Sequence, residues 1–445
     1  MMNRRQFLLA SVATAVLAAC ASQPAAGGPA RKPNVIVILC DDLGYGDLGA
    51  FGNGMIRTPN IDRMVAQGAK LTMFYASANV CTPSRAGLMT GRYPIRSGLA
   101  RDVIRQTDTN GLPLSEITIA EALKPDYATA LVGKWHLGHV APFWPPTQQG
   151  FDLFFGLPYS HDMQPLHLYD AEPGVEITQE EPEMDRLTER FFARGFKFID
   201  ANKDRPFFLM LTLTAPHVTL DPHPDFAGHS AAAEYGDVVE EIDANVGKLM
   251  HQLETLGIDN DTLVILTSDN GPWWEGSSGG LRDRKGGAGW EGGYRVPFVA
   301  RQPGRIPAGL VNDSIAMNID LLPTIVRWTG GTVPDVELDG ADIASLLTIP
   351  RAPSPHDELV LFINEDVAAV RTQRWKYVVR SFYRAYEGVL DAPGRNDWAL
   401  LVDIENDPAE SYDVSSLHPD ALADMAARVA KARATFAPLA TPKTR

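Results

Sequence analysis

Five runs in the chain are almost continuously apolar and rich in β-branched residues: 33–40 (Pro-Asn-Val-Ile-Val-Ile-Leu-Cys), 128–132, 207–214, 263–267 and 296–300. Short runs without polar alternation predict strands buried on both faces, as in a parallel sheet covered by helices on each side. Between the third and fourth runs, Val238, Val239, Ile242, Val246, Leu249, Met250 and Leu253 recur at helical spacing and predict a long amphipathic helix. Thr58-Pro59, followed by Ile61, Met64 and Val65 and closed by Gly68, predicts a shorter helix with proline in its first turn. After the proline-rich stretch 350–355, a candidate linker, the pattern changes. Short alternating runs at 359–363, 367–371, 375–379 and 399–402 predict a small antiparallel sheet, and a helical pattern runs from Pro419 to Phe436. The expected fold is α/β: a large, doubly wound, mixed but mostly parallel sheet flanked by helices, plus a small C-terminal domain with an antiparallel sheet and one helix. The expected boundaries are 1–30 for a leader, 31–353 for the large domain and 354–445 for the small one.

At 445 residues the chain exceeds what one hydrophobic core usually serves, in keeping with two domains. A net charge of −15 argues against nucleic acid or an anionic membrane surface as a general partner, since both call for a basic face; a local basic pocket stays open. Arg4 and Arg5 precede an apolar run from Phe7 to Ala19 that is too short to span a bilayer and has the layout of a signal peptide. Asn3-Arg4-Arg5-Gln6-Phe7-Leu8 resembles a twin-arginine export signal, and Leu17-Ala18-Ala19-Cys20 resembles a lipobox in which Cys20 is lipidated. The expected location is the periplasm or cell envelope, with cleavage in the stretch 18–26 and release as the alternative. Of three cysteines, Cys40 and Cys81 remain for an oxidising compartment. They could pair, but Cys40 reads more simply as a buried strand residue.

Each predicted strand is followed by polar residues of catalytic type. The first leads to Asp41-Asp42, the second to Gly133-Lys134-Trp135-His136, the third to Ala215-Pro216-His217 and the fourth to Ser268-Asp269-Asn270-Gly271. Singly, each is as well explained by a helix cap or a turn. In a doubly wound sheet they share the carboxyl edge, where ligands bind. Asp41, Asp42, Asp269 and Asn270 offer only oxygen, which suits a hard divalent cation, Ca²⁺ or Mg²⁺, better than zinc.

The stretch Cys81-Thr82-Pro83-Ser84-Arg85-Ala86-Gly87-Leu88-Met89-Thr90-Gly91 resembles the signature of the sulfatase family at every fixed position. The segments 41–48, 133–138, 290–297 and Asp407-Pro408 with Glu410 are similar to further sulfatase motifs, and 156–162 is similar to the arylsulfatase A branch. The resemblance runs from Asn34 to about Val414. It departs at Asp126-Tyr127, a turn position, and at Arg282-Asp283-Arg284-Lys285, where both Arg284 and Lys285 could supply the family's lysine position.

The resemblance implies hydrolysis of sulfate monoesters, with Cys81 oxidised to formylglycine by a formylglycine-generating enzyme. A thiol attacking sulfur would form a thiosulfate ester with no easy exit. An aldehyde hydrate avoids this, because one hydroxyl takes the sulfuryl group and the other collapses to the aldehyde and expels sulfate. The metal ligands implied are Asp41, Asp42, residue 81, Asp269 and Asn270. Arg85 would orient residue 81, Lys134 and Lys285 would bind sulfate oxygens, and Ser160 would bond near the sulfate. His217 would protonate the leaving oxygen and His136 would take the proton that drives collapse. Residue 81 is expected at the N-terminus of a helix starting near Ser84. Two other readings are open: a phosphate or phosphonate monoester hydrolase on the same fold, and a silent binder of sulfated glycans, against which every site position is filled. The expected substrate is a sulfated carbohydrate, with Phe143, Trp273-Trp274-Glu275 and 380–386 as leaving-group loops, although Trp273 and Trp274 could equally cover the core edge.

Overall fold

The computed structural model describes residues 31–379 and 399–441. The leader, including Arg4, Arg5 and Cys20, and the loop 380–386 lie outside the described residues.

The large sheet contains β1 (Asn34–Cys40), β2 (Ala69–Tyr75), β3 (Ala128–Lys134), β4 (Leu153–Leu157), β5 (Leu168–Ala171), β6 (Thr178–Glu180), β7 (Phe207–Thr212), β8 (Thr262–Ser268), β9 (Arg295–Arg301), β10 (Leu310–Asn312) and β11 (Ala316–Met317). Their order is β10-β2-β9-β8-β1-β7-β3-β4-β5-β6, with β11 pairing β2. The run β8-β1-β7-β3-β4 is parallel throughout, so these five strands end on one edge. β9 is antiparallel to both β2 and β8, a direction that an apolar run cannot announce.

β1 shows why its residues form a central strand. Val35, Val37 and Leu39 enter one core while Ile36, Ile38 and Cys40 enter the other, so both faces are buried. The first core is covered by helices such as Cys81–Thr90 and Leu321–Trp328, the second by Pro59–Ala66, Leu187–Asn202 and Ala233–Thr255. In the last of these, Val238, Val239, Ile242, Val246, Leu249 and Leu253 are buried, the stripe predicted from spacing.

A second sheet joins β12 (Leu359–Ile363), β13 (Asp366–Arg371), β14 (Trp375–Val378) and β15 (Leu400–Asp403) in antiparallel order. With the helix Pro419–Phe436 it forms a third core that also contains Tyr75, Trp290 and Tyr294 of the large sheet region. The stretch 350–355 is anchored to the large sheet region, with the Ala352 carbonyl accepting from Asn312 and Ser314 and Ser354 donating to the Ile315 carbonyl.

The helix expected near Ser84 begins at Cys81 itself, with Val80 extended before it. Pro83 does not delay it, because the first-turn N–H groups have no partner inside a helix and proline's missing donor costs nothing there. β3 runs two residues beyond the predicted end, to Lys134. Gly133 (φ 121°) and Gly156 permit this: a Cβ on Gly156 would lie 1.8 Å from the Gly133 carbonyl oxygen. No helix among the described residues is long and apolar enough to cross a membrane.

Candidate active site

The parallel run places the ends of β1, β8, β7, β3 and β4 side by side, and the polar residues that follow them converge on the first turn of the helix Cys81–Thr90. The ladder continues one residue past the strands: Asp41 N–H bonds the Ala215 carbonyl and Asp269 N–H the Cys40 carbonyl, each at 3.1 Å. The next residue turns sharply. Asp42 has φ 65°, a left-handed conformation that costs a non-glycine residue, and its N–H donates to Asp269 Oδ1 at 3.2 Å.

Cys81 donates its S–H to Asp41 Oδ1 at 3.4 Å. Lys134, the last residue of β3, reaches Asp41 Oδ2 with Nζ at 2.5 Å. Arg85, one helical turn beyond Cys81, places Nη2 2.9 Å from Asp269 Oδ2 and 3.7 Å from Asp41 Oδ2, while Nη1 donates to the Lys134 carbonyl at 2.9 Å. Asn270 Nδ2 donates to Asp42 Oδ1 at 2.6 Å. Lys285 Nζ lies 2.8 Å from Asp42 Oδ2 and His217 Nε2 lies 3.7 Å from the same oxygen. Arg284 points elsewhere, to the carbonyls of Trp273, Trp274 and Gly276, so geometry distinguishes the two candidate cations.

The helix that carries Cys81 is buried along its whole length and tied down from two sides. Ser84 donates to the Asp269 carbonyl, and Asn318 Nδ2 donates to Ser84 Oγ at 2.9 Å. Thr82 donates to the His136 carbonyl at 2.9 Å, which brings His136 beside the residue following Cys81. His136 also has a left-handed backbone, φ 60°. Its Nε2 must carry the proton, because its partner at 2.9 Å is the Ile104 carbonyl. Nδ1 is then the free lone pair of a neutral ring, buried and without a partner among the described residues.

Electrostatics separate the groups. Burial opposes the Asp41 charge, but Lys134, His217, Arg85 and Lys285 outweigh it and hold its carboxyl well below the usual range. Burial, with Asp41 alongside, pushes Asp269 up to about 7. Burial and Asp41 raise the Cys81 thiol, so it stays protonated and is a poor nucleophile as it stands. Burial, Lys134 and Arg85 hold His136 well below the usual histidine value.

A divalent cation fits these residues. One oxygen or sulfur each from Asp41, Asp42 and Cys81 and a nitrogen from His217 lie within 4.8 Å of one another. Both acceptors of Asn270 Nδ2, Asp42 Oδ1 and the Gly271 carbonyl, fix the amide's orientation and leave Oδ1 buried with no donor among the described residues. An uncharged oxygen so placed among carboxylates has the chemistry of a ligand for a hard cation.

Ser160 and His161 follow β4 and are buried. Sequence reasoning singled out Ser160 and passed over His161, whose ring packs edge-on 5.6 Å from that of His217 and whose Nε2 bonds the Thr219 carbonyl. His161 sits inside the 156–162 motif, which was the available signal. Asn318 has no such signal, because its bonds to Ser84 and to the Ser77 N–H exist only in three dimensions. Trp274 is 72% exposed beside the Arg284 guanidinium, and does not cover the core edge.

The Sulfatase family model matches residues 33–331. Human arylsulfatase A is 37% identical over 429 residues, covering 86% of this chain and 84% of that protein. The steryl-sulfatase of Rattus norvegicus is 33% identical over 503 residues, covering 88% of this chain and 86% of that protein. A solved structure described under the metabolism of multiple glycosaminoglycans by Bacteroides thetaiotaomicron superposes with a TM-score of 0.81 at 26% identity, covering 91% of this chain and 100% of that one.

Proposed function

The chain belongs to the sulfatase family and is a sulfuric ester hydrolase, and on that premise we propose that the strand-end cluster is its active site, with residue 81 acting as formylglycine on a sulfated saccharide. The observation that carries this reading is the convergence of Asp41, Asp42, Asp269 and the stranded Asn270 Oδ1 with Lys134, Lys285 and Arg85 around residue 81.

Asp41, Asp42, Asp269, Asn270 and the oxygen of modified residue 81 would hold one divalent cation, calcium ahead of magnesium. When bound, the cation makes a coordinated hydroxyl more acidic and polarises the sulfate. Lys134 and Lys285 supply fixed positive charge for sulfate oxygens, in a pocket where burial strengthens each contact. The helix N-terminus at residue 81 adds its unpaired N–H groups. Arg85, held by Asp269 and the Lys134 carbonyl, orients residue 81. His217 donates a proton to the leaving oxygen from Nε2, since its Nδ1 bonds the Val218 carbonyl. His136 accepts a proton at its free Nδ1. Ser160, buried at the end of β4, bonds on the sulfate side.

The saccharide assignment is supported by the exposed Trp274 and the Arg284 beside it, on the loop that follows Asn270, which offer a stacking face and a donor for a sugar. The leader residues Arg4-Arg5 and Cys20 support export through a twin-arginine route, with residue 81 oxidised before translocation, and a lipid tether in the cell envelope.

Hydrolysis rates for a nitrophenyl sulfate and the matching phosphate test the reaction, since fold alone does not choose between them. The sulfate is expected to be the better substrate by about 10²-fold or more; a dominant phosphatase activity would overturn the reading.

A further inference from the structure

Lys285 stands in a segment that should not hold a side chain still. It is followed by Gly286-Gly287-Ala288-Gly289, and glycine leaves the backbone more conformations than any other residue. The segment 282–291 is nonetheless anchored at both ends to one residue, Glu410, which lies beyond β15 in the chain. At one end the Arg282 guanidinium donates to the Glu410 carbonyl at 2.6 Å and lies over the Trp290 ring, 3.8 Å from its centroid. At the other end the Glu291 backbone N–H donates to Glu410 Oε2, also at 2.6 Å. Lys376 of β14 completes the frame, with Nζ 2.7 Å from Glu410 Oε1 and 2.9 Å from Glu291 Oε1. Glu291, Lys376 and Glu410 are wholly buried, and Glu410 is held at φ 55°.

Between the anchors the segment is bonded to Asn79, two residues before residue 81. Lys285 N–H bonds the Pro272 carbonyl at 3.0 Å, Gly286 N–H bonds the Asn79 carbonyl at 2.8 Å, and Asn79 Nδ2 returns a bond to the Gly287 carbonyl. From that backbone position Lys285 Nζ reaches Asp42.

We propose that Glu410 is a positioning residue for Lys285: through Arg282 and Glu291 it sets the backbone from which the lysine meets the sulfate group. The proposal rests on the assignment of Lys285 to sulfate binding. It gives the second sheet a part in the reaction without contact with substrate. A displacement of about 1 Å in such a group is enough to cost about 10²-fold in rate.

The test is a pair of double-mutant cycles on the matured full-length enzyme. Glu410→Ala and Arg282→Met are each measured alone and combined with Lys285→Ala, by kcat/KM for a nitrophenyl sulfate, inhibition by inorganic sulfate, and thermal midpoint. Arg282→Met leaves the buried ion pairs intact and serves where Glu410→Ala does not fold. Either variant alone is expected to lower kcat/KM by about 10-fold or more and to weaken sulfate inhibition in step. In the Lys285→Ala background the further change should stay within about twofold, because the effect acts through that lysine. Losses that multiply in that background, or a lower thermal midpoint with kcat/KM and sulfate inhibition unchanged, would overturn the proposal. A Lys285→Ala enzyme with wild-type kcat/KM would overturn the assignment of Lys285 itself, and is read from a different arm of the cycle.

Discussion

Two buried charge clusters in this protein are each built from carboxylates paired with lysine and arginine and meet in one loop, yet they are finished differently. The cluster at the strand ends joins Asp41, Asp42 and Asp269 to Lys134, Lys285 and Arg85; the one between the sheets joins Glu291 and Glu410 to Lys376, Arg371 and Arg295. The first contains two buried neutral atoms, Asn270 Oδ1 and His136 Nδ1, that no group among the described residues satisfies, and Lys285 and His217 keep a little exposure. In the second, Glu291, Glu410, Lys376 and Arg371 have none, Arg295 at its edge keeps 9%, and the two atoms without a hydrogen bond among the described residues, Glu410 Oε1 and Arg295 Nη1, each face an opposite charge, Lys376 at 2.7 Å and Glu291 at 3.5 Å. Burial opposes the Glu291 charge, but Lys376, Arg371 and Arg295 hold its carboxyl down at about 2; burial, opposed by Lys376 and reinforced by Glu291, pushes Glu410 up to about 7. The lesson is that charge and burial alone do not mark a reactive site. In the proposed reading, unsatisfied neutral acceptors beside the charges mark the cluster that takes a cation and an anion, while a closed cluster of similar charge holds the backbone in place.

The contrast can be broken or sharpened by variants that strike one cluster and spare the other. Cys81→Ala should lower turnover by at least about 10³-fold, since it removes the group proposed to take the sulfuryl group, with little change in thermal midpoint. Unchanged turnover in that variant, measured on the nitrophenyl sulfate, would defeat the assignment of residue 81. Chelation of divalent cations should reduce kcat by about 10²-fold or more, restored by added calcium or magnesium. Activity indifferent to chelator would mean that the stranded Asn270 oxygen is not a ligand. Lys376→Met should act mainly on the fold, costing about 3–5 kcal/mol of stability in a denaturant titration because Glu291 and Glu410 are left uncompensated. A loss below about 1 kcal/mol would show that the closed cluster is not the fastening inferred for it.

The smallest effect is one of pH. Glu291, depressed in the folded state, contributes stability above its usual value of 4.5 that is lost as pH falls toward about 2. Glu410, raised in the folded state, contributes stability below its usual value of 4.5 that is lost as pH rises through about 7. Between about pH 5 and about pH 8 the wild type should therefore lose stability that a Glu410→Gln variant keeps, as read from paired thermal melts. Parallel curves would contradict this.

The two clusters also differ in how far the sequence foretold them. The strand ends were legible because an apolar run such as 33–40 announces a strand buried on both faces, and parallel strands must present their carboxyl ends together. Asp41-Asp42 and Asp269-Asn270 could thus be paired across more than two hundred residues. β2 and β4 escaped notice for physical reasons. Lys70 and Thr72 interrupt β2 with half-buried polar positions, and β4 carries Gly156, needed where its backbone passes Gly133. The roles of Arg284 and Lys285 could not be told apart by spacing, because adjacent residues point to opposite sides of a loop that folds back on Pro272 and Asn79. Glu410 was visible as part of a motif, but its contacts with Arg282 and Glu291 belong to the tertiary structure alone.

Everything assigned to the open cluster turns on the chemical state of residue 81. The mass of the tryptic peptide Leu71–Arg85, from protein purified in active form from its native cells, tests that state directly. The account predicts a peptide lighter than the encoded one by the difference between a cysteine side chain and an aldehyde. An active enzyme whose peptide carries an intact Cys81 thiol would contradict it.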